Sequence, residues 1–258
     1  MTIGCKIEFK SLLLLIVSSL AVSTAFAQTP ACNKTVYLTF DTGNMSVATL
    51  VADVLKRQNV KATFFLANEK TNRGDYSLDD SWKSYWQSLQ TDGHHFGSHT
   101  FDHVYFVKNS PNGGVFEKPQ FGDQAGKTLI YNEAMLCREI RRVDTRFTEL
   151  TGAPIQKIWR APGGKTSPRL ISMANQCGYQ HFAWNESGFL GDELNSDSHP
   201  NAALLEKASQ QIKDGDITMA HLGIWSRKDP WAPAVLEKLI IQLKNRGFCF
   251  ATLPKEIK

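Results

Sequence analysis

Between Thr35 and Leu253, short apolar runs rich in β-branched and aromatic residues alternate with stretches of helical period. Thr35–Phe40 and Lys61–Leu66 read as strands. Ser46–Gln58 sets Val47, Leu50, Val51, Val54 and Leu55 along one stripe and reads as a helix. Asp79–Thr91 reads as a helix ended by Gly93, and Ile130–Leu150 as a long helix with Gly152 just beyond it. Strands at Ile158–Trp159, Tyr179–Trp184, Ile217–Ala220 and Phe248–Leu253 then alternate with helices at Pro168–Gln176, Asn201–Lys213 and Pro233–Asn245. Strands joined by crossover helices pair in parallel, so the fold class is α/β, a barrel or an open sheet. Tyr105–Thr128, rich in Gly, Pro, Asn and Lys, breaks the rhythm and reads as a long loop.

The first 27 residues stand apart from this pattern. Lys6 and Lys10 precede an apolar run, Ser11 to Val22, too short to stay as a membrane span, and Ala25-Phe26-Ala27 is a small-x-small cleavage site. The reading is a signal peptide over 1–27 and one domain over 28–258, hence a protein exported to the periplasm or beyond. The mature chain would hold 258 − 27 = 231 residues and lose Lys6, Lys10 and Glu8, giving 27 basic against 24 acidic side chains. So mild a balance, without a Lys/Arg-rich run, argues against a nucleic-acid partner. Cys5 leaves with the leader, and Cys32, Cys137, Cys177 and Cys249 remain, enough for two disulfides in three possible connectivities. If a barrel closes, its first and last strands are neighbours, which favours Cys32–Cys249 and leaves Cys137–Cys177 between helices.

In parallel α/β folds the chemistry sits at the C-terminal ends of the strands. Those ends carry Asp41, then His99 and His103, Arg160 followed by Pro162-Gly163-Gly164, a loop with Glu186 and Asp192, and His221. His99 and His103 are spaced i, i+4, so on a helical turn they would share a face as metal ligands. Trp184, Trp225 and Trp231 fall near the same ends and offer ring faces to a sugar.

The motifs TFDTG at 39–43, HTFDH at 99–103, RAPGG at 160–164 and MAH at 219–221 together resemble the signature of the NodB-type polysaccharide deacetylases, carbohydrate esterase family 4. VKATFFL at 60–66, DGHHFGSHT at 92–100 and RGFCFATL at 246–253 extend the likeness across nearly all of the mature chain. The resemblance implies a distorted (β/α) barrel that hydrolyses N-acetyl groups on amino-sugar polymers, peptidoglycan or chitin-like, and works as a monomer. It further implies Asp41 as general base, His99 and His103 as ligands of Zn²⁺ or another divalent cation, Arg160 as the residue orienting the base, and His221 as general acid. Gly163 would offer its N–H to the oxyanion where the family often has an aromatic residue. Asp192 is expected to partner Arg160.

Thr42 is the departure. The family places a second, metal-binding Asp there, and a neutral hydroxyl is a much weaker ligand. The third ligand is thus left between Thr42 and Asp41. A non-catalytic glycan-binding relic would account for Thr42 but not for Asp41, Arg160 and His221 standing together. A glycosidase built on Glu186, Asp192 or Glu193 would need two carboxylates flanking one bond, whereas these share one loop.

Overall fold

The computed structural model describes residues 1–4 and 32–254; beyond residue 4 the expected signal peptide lies outside the described residues. Six strands form a sheet in the order β10-β2-β3-β4-β8-β9. They are β2 (Thr39–Asp41), β3 (Thr63–Leu66), β4 (His95–Ser98), β8 (Ile158–Trp159), β9 (Gln180–His181) and β10 (Ala220–His221), all paired in parallel. A second parallel pair joins β1 (Lys34–Tyr37) to β11 (Phe248–Ala251). An isolated parallel bridge joins Tyr37 of β1 to Ile217, just before β10, and another joins Phe189 to Met219. The result is the distorted barrel, incompletely hydrogen-bonded round its circumference. Helices α1 (Ala48–Arg57), α2 (Lys83–Thr91), α3 (Glu133–Thr151), α4 (Pro168–Gln176), α5 (Asn201–Gln211) and α6 (Trp231–Asn245) carry the connections. Among the described residues, no helix is long and apolar enough to cross a membrane.

Strand alternation explains where the polar groups go. Phe40, Phe64 and Phe96 are in register on β2, β3 and β4 and stack at centroid distances of 5.6 and 5.8 Å within the main core. One residue further on, Asp41, Phe65 and Gly97 are in register and belong to the other face. That inner face is narrow: Phe65 packs with Ile158, Phe182 and Leu253 in a separate cluster. A Cβ on Gly97 would lie 2.8 Å from the Phe65 ring, so the position needs its glycine for space.

Two helix boundaries are set by side chains. Asn132 caps α3 by accepting the Met135 N–H at 2.9 Å, and Gly152 ends the helix in the left-handed region at φ 82°. Ser167 caps α4 by accepting the Leu170 N–H at 3.2 Å, with Pro168 in the first turn. The disulfides Cys32–Cys249 and Cys137–Cys177 both form, the first across the β1–β11 seam and the second between α3 and the end of α4.

The segment expected to be a loop is instead an antiparallel sheet. β5 (Val104–Asn109), β6 (Val115–Pro119) and β7 (Leu129–Tyr131) pair in the order β5-β6-β7. The first turn runs through Gly113 and Gly114, both at positive φ, where a Cβ on Gly114 would strike the Tyr131 carbonyl at 2.4 Å. The long helix therefore starts after β7 rather than at Ile130.

Candidate active site

Asp41 ends β2 on the inner face and is 2 % exposed. Arg160, the residue after β8, is fully buried and donates from Nη1 to Asp41 Oδ1 at 2.8 Å and to Thr39 Oγ1 at 2.8 Å. Its Nε donates to the Phe182 carbonyl at 3.1 Å, and the guanidinium lies 4.1 Å over the Phe65 ring. Three anchors thus fix its fork, and the fork fixes the carboxylate. Burial pushes the Asp41 carboxyl up, but Arg160, His99 and His221 together outweigh it and hold the group below its ordinary range. Asp41 is therefore an ionised carboxylate kept dry.

A second carboxylate pairs with the other proton-transfer candidate. Asp192 does not meet Arg160, as the resemblance had suggested. It accepts the His221 backbone N–H at 2.7 Å and lies 3.2 Å from Nδ1 of the same residue. The reason is strand order: β10 flanks β2, so His221 is in register with Asp41, and Asp192 reaches β10 from the loop before α5. Burial pulls His221 down, but the Asp192 charge and hydrogen bond, with Asp41 and Glu193 behind them, push it up to about 10. With Nδ1 engaged, Nε2 is the atom free to work, 3.9 Å from Glu193 Oε2.

His99 and His103 come together by a route other than a helical face. The chain turns sharply through Thr100 at φ 59° and His103 at φ 48°, both unusual for residues with a Cβ. The Thr100 side chain holds this turn, donating to the His99 carbonyl at 2.6 Å and accepting the Val104 N–H at 2.8 Å. The two imidazoles meet edge to face at 4.9 Å between centroids. His99 Nδ1 lies 3.0 Å from the Arg160 carbonyl, which fixes the tautomer and leaves Nε2 facing Asp41 Oδ2 at 3.5 Å. Burial drives His99 down to about 4, so it is a neutral imidazole with a free lone pair.

Thr42 is occupied. Its hydroxyl donates to Glu69 Oε1 at 2.5 Å and accepts the Ala67 N–H at 3.2 Å. Glu69, absent from the expected site, sits beyond the end of β3 and also takes the Gly43 N–H at 2.8 Å. It carried no sequence signal, because it stands three residues past its strand in a stretch, ANEK, with the look of an ordinary surface turn.

These groups share one cavity of about 240 Å³, lined by Asp41, Glu69, His99, His103 and His221 and walled by Tyr105, Gly163, Trp184 and Trp225. Gly163 turns at φ 64°, and a Cβ there would meet the Tyr105 ring at 2.6 Å. The aromatic wall expected to be missing at Gly163 is thus supplied by Tyr105, from β5. Trp225 is 65 % exposed and lines the same cavity, whereas Trp231 is buried at the start of α6 and packs in the core. Glu186 lies apart, in a larger depression of about 600 Å³ at the N-terminal ends of β1 and β11 that holds none of these groups. Of the acids the glycosidase reading named, Glu186 is thus removed from the cavity that Glu193 lines.

The family model of polysaccharide deacetylases matches residues 28–182. The chain belongs to the polysaccharide deacetylase family. Membership places it among hydrolases of amide-linked acetyl groups. It is 24 % identical over 232 residues to a peptidoglycan-N-acetylglucosamine deacetylase of Bacillus cereus, covering 90 % of this chain and 92 % of that protein. It is 25 % identical over 233 residues to a chitooligosaccharide deacetylase of Azorhizobium caulinodans, covering 86 % and 93 %. The fold of this deacetylase matches that of a family 4 carbohydrate esterase from Streptomyces lividans, solved with acetate, with a TM-score of 0.62 at 19 % identity over 87 % of this chain and 95 % of that one.

Proposed function

We propose that this is an exported deacetylase that removes acetyl groups from N-acetylated amino sugars in an envelope glycan, peptidoglycan or chitin-like. The observation that carries the reading is the convergence of two buried dyads, Asp41–Arg160 and Asp192–His221, on one cavity. One dyad holds an ionised carboxylate and the other a protonated imidazole, the pair of states that amide hydrolysis needs.

Asp41, held by Arg160, takes a proton from the attacking water. His221, held by Asp192, gives one to the leaving amine nitrogen, without which the C–N bond does not break. The N–H of Gly163 receives the developing oxyanion at the cavity wall. Tyr105 and Trp225 offer ring faces to the sugar. Every one of these groups comes from one chain, which suits a monomer.

The donor set fits a divalent metal in kind. His99 is neutral, with Nδ1 held by a carbonyl and Nε2 turned into the cavity beside His103. Among the described residues, no three His, Cys, Asp or Glu side chains are already gathered into a metal cage. His99 and His103 would hold the ion, zinc by preference of imidazole, and the ion would supply Lewis acidity at the acetyl carbonyl. The disulfides support export, since such bonds persist in oxidising compartments.

The test is mass spectrometry of peptidoglycan fragments and chito-oligomers after incubation with the purified protein, with and without a zinc chelator. Products in which an acetyl group is replaced by hydrogen are expected, and the responsive substrate names the sugar. Intact acetyls on every substrate would leave the binding-only reading that Thr42 suggests. The Asp192–His221 dyad also fixes a pH limit. His221 acts while protonated, and its raised pKa keeps it so until about pH 10. Asp192→Asn removes the charge that raises it, so the alkaline limb of kcat/KM should move acidward by about one pH unit or more. An unmoved limb would exclude His221 as the acid.

A further inference from the structure

We infer that Glu69 is the third metal-binding side chain of this site, supplying from the end of β3 the negative charge that Thr42 does not. The inference rests on the proposal that His99 and His103 hold a divalent ion, and it assigns the ligand missing from that pair.

Glu69 is held beside the histidine turn by the backbone. The His99 N–H donates to the Leu66 carbonyl at 2.7 Å, and the Asn68 N–H donates to the Phe101 carbonyl at 2.8 Å. The segment that carries Glu69 therefore runs along the segment that carries both histidines. Ser77 locks it from behind: Glu69 N–H donates to Ser77 Oγ at 3.0 Å, and Ser77 N–H returns to the Glu69 carbonyl at 2.9 Å.

The carboxylate itself is nine-tenths buried, yet it lines the cavity. Oε1 takes both available donors, the Thr42 hydroxyl and the Gly43 N–H. Among the described residues, nothing donates a hydrogen bond to Oε2. Oε2 is left facing the cavity, where a carboxylate largely shielded from bulk water favours a cationic partner. Among the described residues no Lys or Arg is bonded to it, and His99 and His103 line the same cavity. A divalent ion held by His99 and His103 would give Oε2 that partner.

Thr42 then has a definite part. Its hydroxyl and the neighbouring Gly43 N–H orient Glu69 through Oε1, as groups behind a metal ligand commonly do. The acid has moved from position 42 to position 69, and position 42 has become its support.

Zinc titration into the chelator-treated full chain, by calorimetry, tests this. Wild type, His99→Ala, Glu69→Gln and the double variant Thr42→Asp/Glu69→Gln are compared, and each is melted in chelator to check its fold. Gln keeps the Oε1 acceptor, so the Thr42 and Gly43 contacts persist. Glu69→Gln should weaken zinc binding by about 100-fold, and the double variant should recover to within about ten-fold of wild type. Wild-type affinity in Glu69→Gln, with binding lost in His99→Ala, overturns the role of Glu69 and leaves the histidine site standing. A loss in Glu69→Gln that the double variant does not reverse also overturns it. Equal affinity in His99→Ala and wild type, or none in either, overturns the metal site itself.

Discussion

Asp41→Asn should lower acetate release by about 10²–10⁴-fold, chiefly in kcat. The amide keeps the shape of the side chain and an acceptor for Arg160, so substrate contacts elsewhere in the cavity persist. What it loses is the ability to take a proton. Of the other acids at the cavity, Asp192 is committed to His221, Glu69 is bound through Oε1 to Thr42 and Gly43, and Glu193 stands beside His221. Acetate measured on the responsive glycan decides the matter, and activity within a few-fold of wild type would remove Asp41 from the role of base.

Arg160→Met should cost about 3–5 kcal/mol of stability, read as a lowered denaturant midpoint, because it strands the buried Asp41 carboxylate. Met fills much of the same volume against Phe65, so packing loss is the smaller part. The double variant Asp41→Asn/Arg160→Met should then be more stable than Arg160→Met alone, since both charges are gone. If the single and double variants melt alike, the ion pair is not what Arg160 contributes. Catalysis should fall as well, because burial alone would push the Asp41 carboxyl up.

Much of this site was legible because its residues announce themselves by position. Asp41, His99, Arg160 and His221 each stand at or next to the last residue of a strand, and strand ends can be read from apolar runs. The pairing of those residues was less legible. Asp192 reaches His221 rather than Arg160 because sequence order does not give sheet order, and β10 lies beside β2 in the sheet although about 180 residues separate them in the chain. Thr100 and His103 hide a left-handed turn behind a spacing that imitates a helix. The β5–β7 sheet was missed because its inward positions on β6 are Val115, Glu117 and Pro119. A buried Glu, pushed up to about 8 by that burial, breaks the apolar alternation a reader looks for. Because that sheet looked like a loop, Tyr105 was not seen as the wall above Gly163.

The β1–β11 seam sets an order of events in the protein's biogenesis. Cys32 and Cys249 are separated by 217 positions, and β1 pairs along its length with β11. Asp41 lies four residues beyond β1, and its neighbour His221 arrives only with β10. During synthesis, the half of the chain that carries Asp41, both histidines and Glu69 emerges long before the strands that close the site. The groups of the cavity therefore come together only once β10, late in the chain, has paired with β2.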